Sequence, residues 1–132
     1  MFNSLGGTMG RRILLIDDEV DIHRITQVGL MMEAGWELLT AQSGEEGIDM
    51  AASEQPDAIL LDVMMPGRDG VATLKLLQES SQTQTIPVIF MTAKAQSADR
   101  RQLYALGAQG VITKPFDPMT LASQISGFLG WP

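Results

Sequence analysis

The chain has no cysteine, one histidine, one tyrosine and two tryptophans among its 132 residues. Without thiols it can form neither disulfides nor thiolate metal centres, and such a composition fits a reducing, cytoplasmic setting. Positive charge is scarce as well: nine Lys and Arg stand against sixteen Asp and Glu, for a net charge of −7. Direct nucleic-acid binding calls for a basic face, so that function is disfavoured. The only local basic clusters, Arg11–Arg12 and Arg100–Arg101, read as solvated surface. Long apolar runs are also missing. None approaches the roughly 20 residues that a bilayer-spanning helix requires, so membrane insertion is not expected. Residues 1–10 have neither the basic start nor the apolar stretch of a secretory signal. They read as a flexible leader or the remnant of a tag, with Met9 as an alternative start. The pair Gly6-Gly7 lacks the following Lys-Ser/Thr of a phosphate loop. What remains, residues 11–132 of a chain that is 45% hydrophobic, suits one well-packed domain.

Short apolar runs alternate with helical spacing along that domain. Ile13–Ile16 is a buried strand that stops abruptly at acids, and Val20–Met32 follows with Ile22, Ile25, Val28, Gly29 and Met32 as core-facing positions. Ala34-Gly35 ends this helix. Trp36–Ala41 is the second strand. Ser43-Gly44-Glu45-Glu46 matches a capping box, in which hydroxyl and carboxylate satisfy free backbone donors at a helix start. Ala58–Leu61 is a third strand closing on Asp62, and Pro66–Gly70 is turn chemistry before a helix over Val71–Glu79. Val88–Met91 ends at Thr92, and Ser97 and Asp99 suit a helix start with Gly107 as its stop. Gly110–Thr113 ends at Lys114, and Asp117-Pro118 caps a last helix carrying Leu121, Ile125 and Phe128. Strands alternating with helices in this way predict an α/β fold, a parallel sheet covered on both faces.

In open parallel sheets, sites form beyond the carboxyl ends of the strands. Those positions hold Asp17-Asp18-Glu19, Asp62, Thr92 and Lys114. Carboxylates crowded over one sheet edge repel one another, and a hard divalent cation such as Mg²⁺ removes the conflict. Asp17 and Asp18 could alternatively serve as helix caps, favoured by the helix dipole. His23, beside core-facing Ile22, reads as a solvated or partner-facing side chain. The nine methionines read as core filler, with Met31-Met32 and Met64-Met65 available to soften a partner surface.

The segments ILLIDDE (Ile13–Glu19), LLDVMMPGRDG (Leu60–Gly70), MTA (Met91–Ala93) and TKPF (Thr113–Phe116) together resemble the receiver domain of two-component response regulators. Four short motifs in this order, each at an expected strand end, cover nearly the whole chain. The resemblance implies a flavodoxin-like three-layer sandwich with a five-stranded sheet in the order 2-1-3-4-5 and five helices. It implies that Asp62 is the phosphoacceptor, supplied by a histidine kinase or histidine phosphotransfer protein. It further implies Mg²⁺ held by Asp18, Asp62 and the backbone carbonyl of Met64, with Asp17 acting largely through water. Lys114 would pair with Asp62 and then with a phosphoryl oxygen, and Thr92 would donate its hydroxyl to another. Lys114–Pro115 would be cis. Glu19 would tune local charge, and Met64 and Lys94 would modulate the lifetime of the phosphoryl group. Turnover of a separate substrate is not implied, only self-phosphorylation and autodephosphorylation.

One position departs from the pattern: three residues before Lys114, where many receivers carry Tyr or Phe, this chain has Val111. That motivates an alternative, a receiver-like protein-binding module not regulated by phosphorylation. An aspartyl phosphatase of the haloacid dehalogenase type would want an Asp two residues after the nucleophile, where Met64 stands. A flavin-binding flavodoxin would want Ser/Thr and Gly where Asp17-Asp18-Glu19 stands.

Overall fold

The apolar runs become strands β1 (Arg12–Ile16), β2 (Glu37–Ala41), β3 (Ala58–Asp62), β4 (Val88–Thr92) and β5 (Gly110–Thr113). Between and after them lie helices α1 (Val20–Ala34), α2 (Gly44–Glu54), α3 (Gly70–Glu79), α4 (Ser97–Ala105) and α5 (Leu121–Leu129), with a 3₁₀ turn at Pro118–Thr120. This computed structural model describes residues 10–94 and 96–132. The leader expected over residues 1–10, with Gly6-Gly7 and Met9, therefore lies outside the described residues except for Gly10. The sheet order is β2-β1-β3-β4-β5, and every pairing is parallel. This is the flavodoxin-like order that the resemblance implied.

Alternate residues of a strand point to opposite faces, so apolar residues in succession must be covered twice. Leu14, Ile16, Ile59, Leu61 and Phe90 pack under Ala51 of α2, Leu74 and Leu77 of α3, and Leu103 of α4. On the other face Ile13, Leu15, Leu60, Ile89 and Met91 meet Leu30 of α1 and Leu121, Ala122 and Ile125 of α5. β3 and β4 are buried throughout, which fixes their ends at the centre of the sheet edge.

Local chemistry sets the helix ends. Ser43 Oγ accepts from the Glu46 amide at 3.1 Å, and Glu46 Oε1 accepts from the Gln42 amide at 2.8 Å, so the expected box forms with its carboxylate reaching one residue further back. The Asp117 carboxylate accepts from the Met119 amide at 2.9 Å, but the 3₁₀ turn, not α5 itself, follows this cap. α4 begins after Gln96 with no side-chain cap, which places Ser97 and Asp99 inside the helix. The Glu33 carboxylate accepts from the amides of Ala122 (2.8 Å) and Ser123 (3.1 Å), so the end of α1 caps the start of α5.

Several expectations are corrected here. On α1 the buried residues are His23, Thr26, Gly29 and Leu30, while Ile25, Val28 and Met32 face outward. The reason is the 3₁₀ turn. It crosses α1 so closely at Gly29 that a β-carbon there would meet the carbonyl of Pro118. Among the described methionines, Met65 and Met91 are core, whereas Met31, Met32, Met64 and Met119 are exposed. Arg11 and Arg12 are engaged. Arg12 pairs with Glu54 at 2.6 Å and Glu37 at 3.7 Å, and the Arg11 guanidinium lies 3.8 Å from the Trp131 ring centroid.

Gly29 yields a test in which two effects oppose each other. In an isolated helix, Gly→Ala is stabilising by roughly 1 kcal/mol. Here the added methyl meets backbone that cannot swing aside, so Gly29→Ala is expected to destabilise by about 1–3 kcal/mol. Urea unfolding decides the sign, and an unchanged or raised midpoint would refute the close α1 crossing.

Candidate functional site

The register of the parallel strands brings their carboxyl ends to one edge, and the residues there are polar. Asp17 follows β1 and is fully buried; Asp18 beside it is exposed. Asp62, the last residue of β3, is 4% exposed, and Thr92, the last of β4, is 2% exposed. Lys114 follows β5, its amide donating to the Thr92 carbonyl at 2.8 Å and its bond to Pro115 being cis. Carboxylate oxygens of Asp17, Asp18 and Asp62 all lie within 4.8 Å of one another.

Lys114 Nζ reaches into this cluster. It donates to Asp17 Oδ2 at 2.8 Å and lies 3.4 Å from both Asp62 Oδ1 and Glu19 Oε1. The expected partner of the lysine was Asp62, but its nearest carboxylate is Asp17. Burial pulls the Lys114 ammonium toward deprotonation, but the hydrogen bond and charge of Asp17, with Asp62 and Glu19, outweigh it and raise its pKa above the ordinary lysine value. Burial pushes the Asp62 pKa up, the charge of Asp17 adds to this, and Lys114 and the Met64 amide pull the other way without cancelling it. Ionising the Asp62 carboxyl in this pocket is thus costlier than in water.

The loop after β3 is shaped by its own sequence. The Met64 amide donates to Asp62 Oδ1 at 3.3 Å, and the Gly70 amide donates to the Val63 carbonyl at 3.0 Å. A β-carbon on Gly70 would strike the Asp62 carbonyl oxygen, so glycine is what lets α3 start directly against the end of β3. Asp69 caps that helix through the Ala72 amide at 2.9 Å. Thr92 is placed at the site, with its hydroxyl accepting from the Lys94 amide at 3.0 Å. Val111 is buried on the α4-covered face of β5, within the core that includes Leu103 and Phe90.

Asp17, Asp18, Asp62 and Lys114 are therefore brought together, with Glu19 at the rim and the Met64 backbone alongside. The sequence reading missed His23. Instead of being solvated it is 8% exposed, and its Nε2 lies 2.6 Å from the backbone oxygen of Asp17. A usable signal was present, because His23, Thr26 and Leu30 recur at the spacing of one helix face.

An open parallel sheet in this order, with an acidic pocket at its carboxyl edge and a lysine across it, defines a flavodoxin-like α/β fold with a carboxylate-lined site. The description "Response regulator receiver domain" matches residues 13–126, and the chain belongs to that family. It is 40% identical over 119 residues to the "Probable transcriptional regulator ycf27" of Cyanophora paradoxa, covering 90% of this chain and 48% of that protein. "Protein PilH" of Pseudomonas aeruginosa is 34% identical over 119 residues, covering 89% of this chain and 97% of PilH. The chain thus spans about half the length of several transcriptional-regulator relatives it matches and nearly all of PilH. Among solved structures, the chemotaxis protein CheY4 of Vibrio cholerae superposes with a TM-score of 0.81 at 30% identity, covering 89% of this chain and 98% of that one. No helix among the described residues is long and apolar enough to cross a membrane.

Proposed function

We propose that this receiver domain takes a phosphoryl group on Asp62 from a phosphohistidine, on a histidine kinase or a histidine phosphotransfer protein, and thereby switches its contacts with a partner protein in the cytoplasm. The observation that carries this reading is the convergence of three carboxylates and one ammonium at the sheet edge, with Asp62 as the central, costly member. The donor set also fits a divalent cation. Three carboxylates within 4.8 Å, with no thiolate and no imidazole nitrogen among them, make a hard-oxygen site suited to Mg²⁺. Asp18 and Asp62 would hold the ion directly, with the Met64 carbonyl, and Asp17 would act largely through water. When bound, Mg²⁺ supplies positive charge that offsets the carboxylates and the phosphoryl oxygens.

The remaining chemistry belongs to side chains of this chain. An Asp62 carboxylate oxygen attacks phosphorus, the new O–P bond forms as the bond from phosphorus to the donor breaks, and the leaving group departs with its electron pair. Such a transfer needs positioning and neutralisation more than covalent assistance. The Lys114 ammonium, already 3.4 Å from Asp62, is placed to follow the negative charge onto a phosphoryl oxygen. Thr92 would exchange its contact with the Lys94 amide for a hydrogen bond donated to a second oxygen. Separate substrate turnover forms no part of this function.

Incubation with acetyl phosphate or phosphoramidate and Mg²⁺, followed by intact mass measurement, tests the proposal. One added phosphoryl group is expected, and the mass should fall back as the mixed anhydride hydrolyses. No gain with either donor would sink the phosphoacceptor reading and leave the binding module motivated by Val111.

A further inference from the structure

We infer that His23 is a positioning residue for the acid cluster: its ring N–H, donated to the Asp17 carbonyl, fixes the loop that carries Asp17 and Asp18. The inference rests on the metal-binding reading of that cluster.

Asp17 is held at every polar atom it has. Its amide donates to the Ala41 carbonyl at 3.0 Å, Oδ1 accepts from the Glu19 amide at 2.8 Å, and Oδ2 accepts from Lys114 Nζ at 2.8 Å. Its own carbonyl is left, at a point where β1 has ended and α1 has not begun. A buried carbonyl without a donor is costly, and nearly all such groups are paired. His23 provides the pairing from the first turn of α1, at 2.6 Å. A carbonyl oxygen has no proton to give, so Nε2 carries the hydrogen and the tautomer is set at that atom.

The consequence for the site follows from where the peptide lies. The Asp17 carbonyl belongs to the peptide bond joining Asp17 to Asp18. A displacement of that peptide would carry with it the Cα of Asp18, from which one of the three clustered carboxylates hangs. Any cation held by these acids is bound to a geometry that His23 locks from behind. Partners of this kind, one bond removed from the ligands, commonly change metal affinity by about 10–100-fold when removed.

The test compares His23→Gln, which keeps an N–H near the same place, with His23→Met, which keeps similar bulk but has no donor. Leu30→Val serves as a control, a change on the same buried face two turns further along α1. The Mg²⁺ dissociation constant is read from amide chemical shifts of residues 18 and 63 during MgCl₂ titration. Metal-free urea midpoints of the same proteins report stability. His23→Met is expected to bind Mg²⁺ about tenfold more weakly, His23→Gln to stay near wild type, and Leu30→Val to lose stability without losing affinity. Equal affinity in His23→Met and wild type would overturn the inference, as would a loss in Leu30→Val matching that in His23→Met. If His23→Met does not fold, His23→Gln alone decides: near-wild-type affinity supports the donor role and a tenfold loss removes it. No Mg²⁺ binding by the wild-type chain would overturn the metal reading itself.

Discussion

Replacing Asp62 with asparagine is expected to abolish the phosphoryl gain completely and, in metal-free buffer near neutral pH, to raise the unfolding midpoint. The two effects have one origin. Asparagine keeps the shape of the side chain and removes both the nucleophilic carboxylate and its charge. Burial first, and the charge of Asp17 second, raise the Asp62 pKa in the folded protein. A carboxyl raised above its unfolded value contributes full stability in acid, below that unfolded value, and the contribution is lost as pH climbs through the folded value. Metal-free stability should therefore decline from the ordinary carboxylate range upward through the raised value of Asp62. The asparagine variant should lack that component of the decline. Urea unfolding of both proteins with EDTA, at several pH values, checks this: the advantage of asparagine should grow with pH and vanish in acid. A variant less stable than wild type at every pH would contradict the assigned electrostatics.

The second large effect concerns the cation. Mg²⁺ bound only by the folded state stabilises it by about 2.7 kcal/mol at roughly a hundredfold excess over the dissociation constant. For a domain of this size that appears as a rise of several degrees in melting temperature. Asp18→Ala is expected to remove the whole shift and to slow phosphoryl gain by about a hundredfold or more, the scale of losing transition-state charge stabilisation. Asp18 is exposed, so its removal leaves no cavity in the core, and the variant should remain folded. Differential scanning fluorimetry with and without MgCl₂ reads the outcome. A shift equal to that of wild type would exclude Asp18 from the metal site.

Both effects rest on residues that could be picked out before any coordinates. The strands are short with apolar interiors, and Asp17, Asp62, Thr92 and Lys114 all stand at or just past the carboxyl ends of β1, β3, β4 and β5. The failures share a physical cause. Apolar periodicity reports which residues could be buried, whereas burial on α1 is decided by what crosses it. The Pro118–Thr120 turn lies against Gly29, the buried face runs through His23, Thr26, Gly29 and Leu30, and Ile25, Val28 and Met32 are left outside. The helix-face spacing of His23 with Thr26 and Leu30 signalled its burial, but its partner is a backbone carbonyl, which no side-chain pattern announces. Likewise Arg11 and Arg12 find partners, Trp131 and Glu54, that are distant in sequence.

Trp36 and Trp131, in edge-to-face contact with ring centroids 5.6 Å apart, sit where β2 begins and α5 has ended, at the amino edge of the sheet. A five-residue strand, about 16 Å long, separates that edge from the acid pocket. The protein's own ultraviolet emission is therefore a gauge of global unfolding that is nearly blind to events at Asp62. A spectroscopic view of phosphorylation will need a dye introduced near the pocket, and exposed Met64 offers a place for it that leaves the core untouched.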